Sequence, residues 1–301
     1  MDGKDLLRRL RNLMDEDSDS GWLDTQSSYD FLYEAAKQIV DRTGCLKSTQ
    51  EITTVAETNS YNLNPDFSRL YVKNSSNKFY IVLNDGSNNH YLTFKDYEDI
   101  VYESNSSSVA IPSRFSIIDK SSLSQISSTA TSAGASSGGQ CTLTDSTAPF
   151  ANVNPGAIVH NTTDGSDGVV LSKTSTSAIE TALFGGTNND WSSSDAYIIQ
   201  PQGRYQLILD PTPSTAGYTI TVYYIQIPDP VYSDYGIYRF SNQYKEALVK
   251  YAYWLYKYRD GAPDAGDAMY RYFEDNVGKY SYFVNRGLRG STLKVNYKAR
   301  R

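Results

Sequence analysis

Few residues in this chain suit covalent chemistry. Among 301 residues there are two His and two Cys. Neither His90 nor His160 sits in a Ser/His or Cys/His arrangement that would activate a nucleophile. Both read as surface or turn histidines. Cys45 and Cys141 have no metal-ligand partners nearby, and two cysteines cannot make a disulfide framework. The chain holds no phosphate loop, no dinucleotide fingerprint and no His-x-x-x-His. Paired carboxylates need no fixed spacing, so a carboxylate-based hydrolase stays open on unpositioned acids alone.

Two acidic stretches invite a cation test. Asp15, Asp17 and Asp19 match positions one, three and five of an EF-hand loop. Position six is then Ser20 rather than Gly, and position twelve Gln26 rather than Glu, so the run reads as a solvated turn. Asp164-Gly-Ser-Asp167-Gly is first a turn signal. The sequence therefore predicts no catalytic residue, no cofactor and no metal.

Composition narrows the classes further. The length allows one large or two to three small domains. Net charge is −6, which argues against a general nucleic-acid binder. The first residues lack the apolar run of a signal peptide, and no stretch approaches the ~20 apolar residues of a membrane span. A cytosolic folding compartment is expected. Tyr is the outlier, at 26 against 10 Phe and 3 Trp. Tyrosines on the C-terminal helices suit core and subunit-interface packing better than nucleic-acid stacking or sugar binding. Tyr244, Tyr251, Tyr253, Tyr256 and Tyr270 are the interface candidates.

The elements that must hold these residues fall into three stretches. Leu6, Leu7, Leu10, Leu13 and Met14 form one helical face. A second helix starts at Asp24 or Thr25, carries Phe31, Leu32, Ala35, Ala36, Ile39 and Val40, and stops at Gly44. Period-two patterning then predicts strands at Glu51–Val55, Arg69–Lys73, Phe79–Leu83, Tyr91–Phe94 and Arg114–Ile118. It resumes at Tyr205–Leu209 and Tyr218–Ile227. Between them, 121–139 is almost wholly Ser, Thr, Ala and Gly and reads mainly as linker. Residues 140–200 read as a small β module. Two further helices follow, with stripes Tyr244, Ala247, Leu248, Tyr251, Ala252, Leu255, Tyr258 and Ala265, Met269, Tyr272, Phe273, Val277, Tyr280, Val284. Gly261 links them and Pro263 opens the second.

The last 16 residues hold Arg286, Arg289, Lys294, Lys298, Arg300 and Arg301 and no acid. Within them Leu293, Val295 and Tyr297 alternate as in a strand. Such a segment suits addition to a sheet edge on another protein, or stays disordered.

The order of these features resembles a known family. A Leu-rich helix leads into an acidic turn ending Trp22-Leu23-Asp24 and a second helix. Then come Glu57-Thr-Asn-Ser-Tyr-Asn-Leu-Asn-Pro65, Leu207-Ile-Leu-Asp-Pro-Thr-Pro213, Tyr223-Tyr-Ile-Gln-Ile-Pro228 and a helix near Asn242-Gln-Tyr-Lys-Glu-Ala-Leu248. This looks like a tailed-bacteriophage head-to-tail adaptor, also called a connector or head-completion protein, over about 1–118 and 201–301. About 80 residues intervene where such adaptors run almost directly from one strand to the next. That insert resembles a small β module of phage virion proteins, through Val159-His-Asn-Thr-Thr-Asp-Gly-Ser and Gly185-Gly-Thr-Asn-Asn-Asp-Trp191.

The resemblance implies a non-enzymatic virion protein, assembled in the host bacterial cytoplasm. It implies a homo-oligomeric ring, typically of twelve copies, below the portal protein. Genomic DNA would pass through its lumen, and tail or nozzle proteins would attach beneath. It also implies that Arg286, Arg289, Leu293, Lys294, Val295, Tyr297, Lys298, Arg300 and Arg301 form a portal-docking arm. A receptor- or glycan-binding virion module is the alternative reading.

The expected fold is α+β: a helical bundle of about four N- and C-terminal helices, a central antiparallel β domain and an inserted small all-β module. The expected division is 1–48 with 238–285 helical and ring-forming, 49–120 with 201–237 β, 121–139 linker, 140–200 inserted module and 286–301 extended basic arm.

Overall fold

The computed structural model describes residues 1–15, 24–71, 80–103, 109–120, 124–201 and 203–287. The chain opens with α1 (Gly3–Met14) and α2 (Thr25–Thr43). Asp2 caps α1 by accepting the Asp5 N–H at 2.8 Å, and Asp24 caps α2 by accepting the Ser27 N–H at 2.6 Å. Gly44 ends α2 at φ 62°, the left-handed conformation that glycine adopts without strain. On α1, Leu6, Leu7, Leu10 and Met14 are buried, while Leu13 is 38 % exposed.

A long β region follows: β1 (Lys47–Thr53), β2 (Ser60–Asn62), β3 (Phe67–Leu70), β4 (Tyr80–Asn84), β5 (Asn89–Phe94), the short α3 (Tyr97–Glu103), β6 (Val109–Ala110) and β7 (Arg114–Lys120). Next come β8 (Ile126–Thr129), β9 (Cys141–Thr144), β10 (Ile158–Asn161), β11 (Ser166–Lys173), β12 (Ala178–Phe184) and β13 (Ala196–Gln200). The last strands are β14 (Arg204–Asp210), β15 (Thr212–Pro213) and β16 (Thr219–Gln226). The chain then enters α4 (Lys245–Arg259) and α5 (Pro263–Gly287).

The expected architecture is overturned. The protein is β-rich: the described residues form five α-helices and barrel-like sheets of eight and six strands, rather than a helical bundle around a small central β domain. The physical reason lies in the signals. A long amphipathic helix repeats its stripe several times, whereas strands of two to five residues repeat theirs once or twice. Ser60–Asn62, Val109–Ala110, Ile126–Thr129 and Thr212–Pro213 are strands of that kind. Nor is the large sheet wholly antiparallel, since β5 and β7 run parallel at Thr93↔Arg114.

The eight-stranded sheet has the order β1-β16-β4-β5-β7-β14-β2, with β3 also on β16. Its inward residues, among them Leu63, Phe67, Ile81, Leu83, Leu92, Phe115, Leu207, Ile220 and Val222, make one buried cluster. The edge strands β1 and β2 face each other across a seam. Gln50 on β1 bridges it, donating from Nε2 to the Asn62 carbonyl at 3.1 Å and accepting the Asn64 N–H at 2.7 Å.

The six-stranded sheet has the order β8-β13-β10-β11-β12-β9. Part of the Ser/Gly-rich stretch read as linker is therefore strand. Ser132 also bridges to Thr144, and Gly134 to Trp191. This sheet too has a polar pin near its seam. Asp145, fully buried just past β9, accepts from Ser128 Oγ of β8 at 2.6 Å, Tyr197 OH of β13 at 2.6 Å, and Thr147 N–H and Oγ1 at 2.8 and 2.7 Å. In sequence this sheet lies between β7 and β14, which pair antiparallel from Lys120↔Arg204 to Arg114↔Asp210.

The helices share a third cluster. α4 packs against α1, α2 and α5, with Ile39, Val40, Leu248, Ala252, Phe273 and Val277 among its buried residues. The cluster extends to the six-stranded sheet through Ala182 and through Phe184, whose ring lies 6.4 Å from that of Tyr232.

Candidate assembly surfaces

The residues capable of chemistry are dispersed. His90 Nε2 lies 2.7 Å from Asp85 Oδ2, where Asp85 also accepts the Ser87 and Asn88 N–H groups of a turn. His160 Nδ1 pairs with Asp167 on the neighbouring strand. Burial pushes the Cys141 thiol up to about 11, and it lies 3.3 Å from Thr181 Oγ1. Among the described residues, no group of three or more His, Cys, Asp or Glu is placed to hold a metal. Asp15 ends α1 in a left-handed turn, while Asp17, Asp19 and Ser20 lie outside the described residues. Asp164 takes the Asn161 amide and Asp167 takes His160, so the two acids serve different partners.

The motifs behind the resemblance are brought together by the large sheet. Tyr61 pairs with Leu207 in register. Its hydroxyl donates to the Thr58 carbonyl at 2.7 Å and accepts the Val55 N–H at 3.1 Å. Glu57 N–H donates to the Pro213 carbonyl at 2.9 Å. Tyr224 OH donates to Asp66 Oδ1 at 2.9 Å and accepts from Asn64 Nδ2 at 3.0 Å. Those residues hold a scaffold. Asp24 caps α2, whereas Trp22 and Leu23 lie outside the described residues.

The motifs between Val159 and Trp191 form a loop knot in the same manner. Asn161 Oδ1 accepts the Thr163 and Asp164 N–H groups, and its Nδ2 donates to Asp195 Oδ2 at 3.1 Å. Thr187 N–H reaches the Asp164 carbonyl at 3.0 Å. A β-carbon on Gly186 would meet the Ser166 β-carbon at 2.6 Å, so only glycine fits that approach. Trp191 Nε1 donates to Thr181 Oγ1 at 2.9 Å, inside the buried cluster of the six-stranded sheet.

The helical layer is stitched at both ends of the chain. Gly3 N–H donates to the Gly236 carbonyl at 2.9 Å and Tyr238 N–H to the Met1 carbonyl at 3.0 Å. Asp5 receives Lys245 Nζ at 2.8 Å, Arg8 at 2.7 Å and Arg9 at 3.1 Å, while Arg9 also reaches Glu246 at 3.0 Å. The hydrogen bond from Lys245 leads these in holding the Asp5 carboxyl well below the usual carboxylate range. Arg42 of α2 pairs with Glu274 of α5, and Ser281 Oγ donates to the Arg42 carbonyl at 3.4 Å.

The tyrosines taken as interface candidates divide. Tyr244, Tyr251 and Tyr256 are buried within their own chain. Tyr244 stacks edge-on to Tyr280 at 4.9 Å, and Tyr251 lies 4.6 Å from Phe273. Their rings fill space between helices of their own chain. Tyr253 and Tyr270 are half-buried, the latter 4.7 Å from Trp254. Among the described side chains of this hairpin, the exposed aromatics are Tyr258, at 66 %, and Tyr272, which carries Lys250 Nζ at 3.3 Å from its centroid.

One exposed surface was missed. Phe94, Tyr97, Tyr102, Val109 and Ile111 are exposed apolar residues around α3 and β6. Glu103 ties the end of α3 to Lys95 and Arg114 there. Asp96 just ahead of acids Glu98 and Asp99 was the available signal for the start of α3.

The arm falls largely beyond view. The backbone of Arg286 belongs to the last turn of α5 rather than to an extended segment. Arg289, Leu293, Lys294, Val295, Tyr297, Lys298, Arg300 and Arg301 lie outside the described residues. Among the described residues, no helix is long and apolar enough to cross a membrane.

Comparison with known proteins agrees with a scaffold that carries assembly surfaces. The family described as SU10 adaptor protein matches residues 1–135 and 128–293. No curated protein matches the chain. With nearly the whole sequence matched, the chain belongs to the SU10 adaptor protein family and is a bacteriophage structural adaptor.

Proposed function

We propose that this adaptor forms a homo-oligomeric ring, of twelve copies, beneath the phage portal. In this reading it extends the DNA channel and gives tail or nozzle proteins a platform. DNA passes through without sequence-specific contact. The helical layer, from about 1–48 and 238–285, builds the ring contacts, and the β regions face outward. The particle is the working location, and assembly takes place in the host cytoplasm. No catalytic step is assigned.

The observation that carries this reading is the place of α5 in the fold. α5 packs on α2 and α4 inside the helical layer, and its last described residue is Gly287. The basic segment 288–301 follows α5 directly in sequence. It carries five of the six cations in the acid-free tail, and Leu293, Val295 and Tyr297 alternate between them. An extended segment of that pattern can add to a partner's sheet edge, with cations on the other face meeting acids. We assign it to the portal.

Co-purification with the portal protein tests this. The full chain is expected to add a ring below the portal in electron micrographs, and the chain lacking 288–301 to add none. Equal capture of both would remove the arm from portal docking.

A further inference from the structure

A cleft of about 280 Å³ lies where the helical layer and the two sheets meet. Its walls are stiff. Pro65, Pro155, Pro228 and Pro230 line it beside Tyr33 of α2. Two carboxylates, Asp66 and Asp229, also line it. Asp66 Oδ1 accepts from Tyr224, and Asp229 Oδ2 lies 3.4 Å from Nε of Arg239, a side chain that is 78 % exposed. Burial pushes the Asp66 carboxyl up, the Tyr224 hydroxyl pulls it down, and the Asp229 charge adds to the upward push. A cation between the two acids would relieve that strain. The one lysine on the wall, Lys173, donates to the Ala151 carbonyl at 3.0 Å.

A second feature is independent of charge. Asn154 lines the same cleft and is 3 % exposed. Its Oδ1 accepts from Arg204 at 3.3 Å, but its Nδ2 has no acceptor. A buried orphan donor is costly and is satisfied by an incoming carbonyl. Rigid apolar walls, paired acids and one spare amide donor describe a seat for an extended peptide carrying Lys or Arg.

We propose that this cleft seats the chain's own basic terminus, residues 288–301, in copies that have not yet joined a portal. Reach supports it. Residues 288–301 are about 14 residues and span at most ~45–50 Å when extended. A folded chain of this length is about 50 Å across. α5 touches Arg42 through Ser281, and Tyr33 lies nine residues earlier on α2, about 14 Å along that helix. Charge supports it as well, because the terminus holds cations and no acid. The seat shields the arm until the portal offers a better one, which goes beyond the portal reading.

Zero-length carbodiimide cross-linking of the full chain, mapped by mass spectrometry, tests the seat. Lys294 or Lys298 is expected to join Asp66 or Asp229. The surface pair Lys37–Glu34, at 2.6 Å, serves as the positive control. Asp229→Lys is expected to abolish the link and to speed tryptic cleavage after Arg289 and Lys294 about fivefold, since cleavage tracks the open population. If that variant misfolds, Arg289→Glu with Arg300→Glu and Arg301→Glu leaves the body untouched and is expected to weaken the same link. The control link forming without any link to Asp66 or Asp229 would overturn the proposal. Portal capture is read separately. A cleft link with no portal dependence on the arm retains this proposal alone, and the reverse retains only the portal reading.

Discussion

Gln50 holds Asn64 across the open seam of the large sheet, accepting its N–H at 2.7 Å while donating to the neighbouring Asn62 carbonyl at 3.1 Å. One side-chain amide thus supplies a donor and an acceptor that a further strand would otherwise provide. Edge strands left bare recruit other chains, so this pin also guards the seam.

Gln50→Ala is expected to lower stability by about 1–2 kcal/mol, the loss of two half-exposed hydrogen bonds. Urea unfolding measures it. Hydrogen exchange at the Asn64 amide is expected to quicken more than at Leu207, which lies within the ladder. Equal acceleration at both would mean the pin acts globally.

Asp145 is the matching pin in the six-stranded sheet, and its ionisation makes it readable by pH. Burial pushes its carboxyl up, but the hydrogen bonds from Ser128, Tyr197 and Thr147 outweigh burial and hold it at about 2. The folded form therefore binds its proton less readily than the unfolded chain, whose value is 3.8. The stability it contributes is fully present above pH 4 and is lost as pH falls towards 2. Acid titration followed by Trp191 fluorescence, with the ring 6.0 Å from Tyr197, is expected to show that loss. Asp145→Ala is expected to remove the transition and to cost about 2–4 kcal/mol at neutral pH, because Ser128 and Tyr197 are left unpaired.

The β7–β14 pairing predicts what excision of the six-stranded sheet does. Replacing 121–203 by Asn-Gly joins Lys120 to Arg204 by a two-residue turn, between strands already in antiparallel register there. The eight-stranded sheet and the helices are expected to remain, with far-ultraviolet circular dichroism still showing a cooperative melt. The midpoint is expected to fall, because Tyr232 loses the Phe184 ring and Ser233 loses Gln140, 3.2 Å away. Loss of all cooperative structure would show instead that the six-stranded sheet is part of the main core.

Much of the helical layer was legible in the residues themselves. Asp24, Gly44, Gly261 and Pro263 punctuate it, and Leu6, Leu10, Ile39, Leu248 and Phe273 face inward. There are exceptions. Leu13, Tyr258, Ala265 and Tyr272 fall on the stripes and are exposed. Strand weight was underread, because β2, β6, β8 and β15 are too short to show a period. The tyrosines are a different case. A ring with a polar tip suits a core and an interface equally, and only packing shows that Tyr244 and Tyr251 are core. Seam pins such as Gln50 and Asp145 cannot be read before the strand order is known.

Asp5 and Lys245 meet at 2.8 Å although 240 residues separate them. On the ribosome that separation becomes a delay. At about 5–20 residues per second, roughly 10–50 s pass before α1 meets the helix that covers Leu6 and Leu10. Both sheets can close in that interval, while the first helix of each nascent chain waits with its apolar face uncovered. Holdase binding to stalled nascent chains should therefore peak at lengths below about 245 residues and fall once α4 has cleared the exit tunnel.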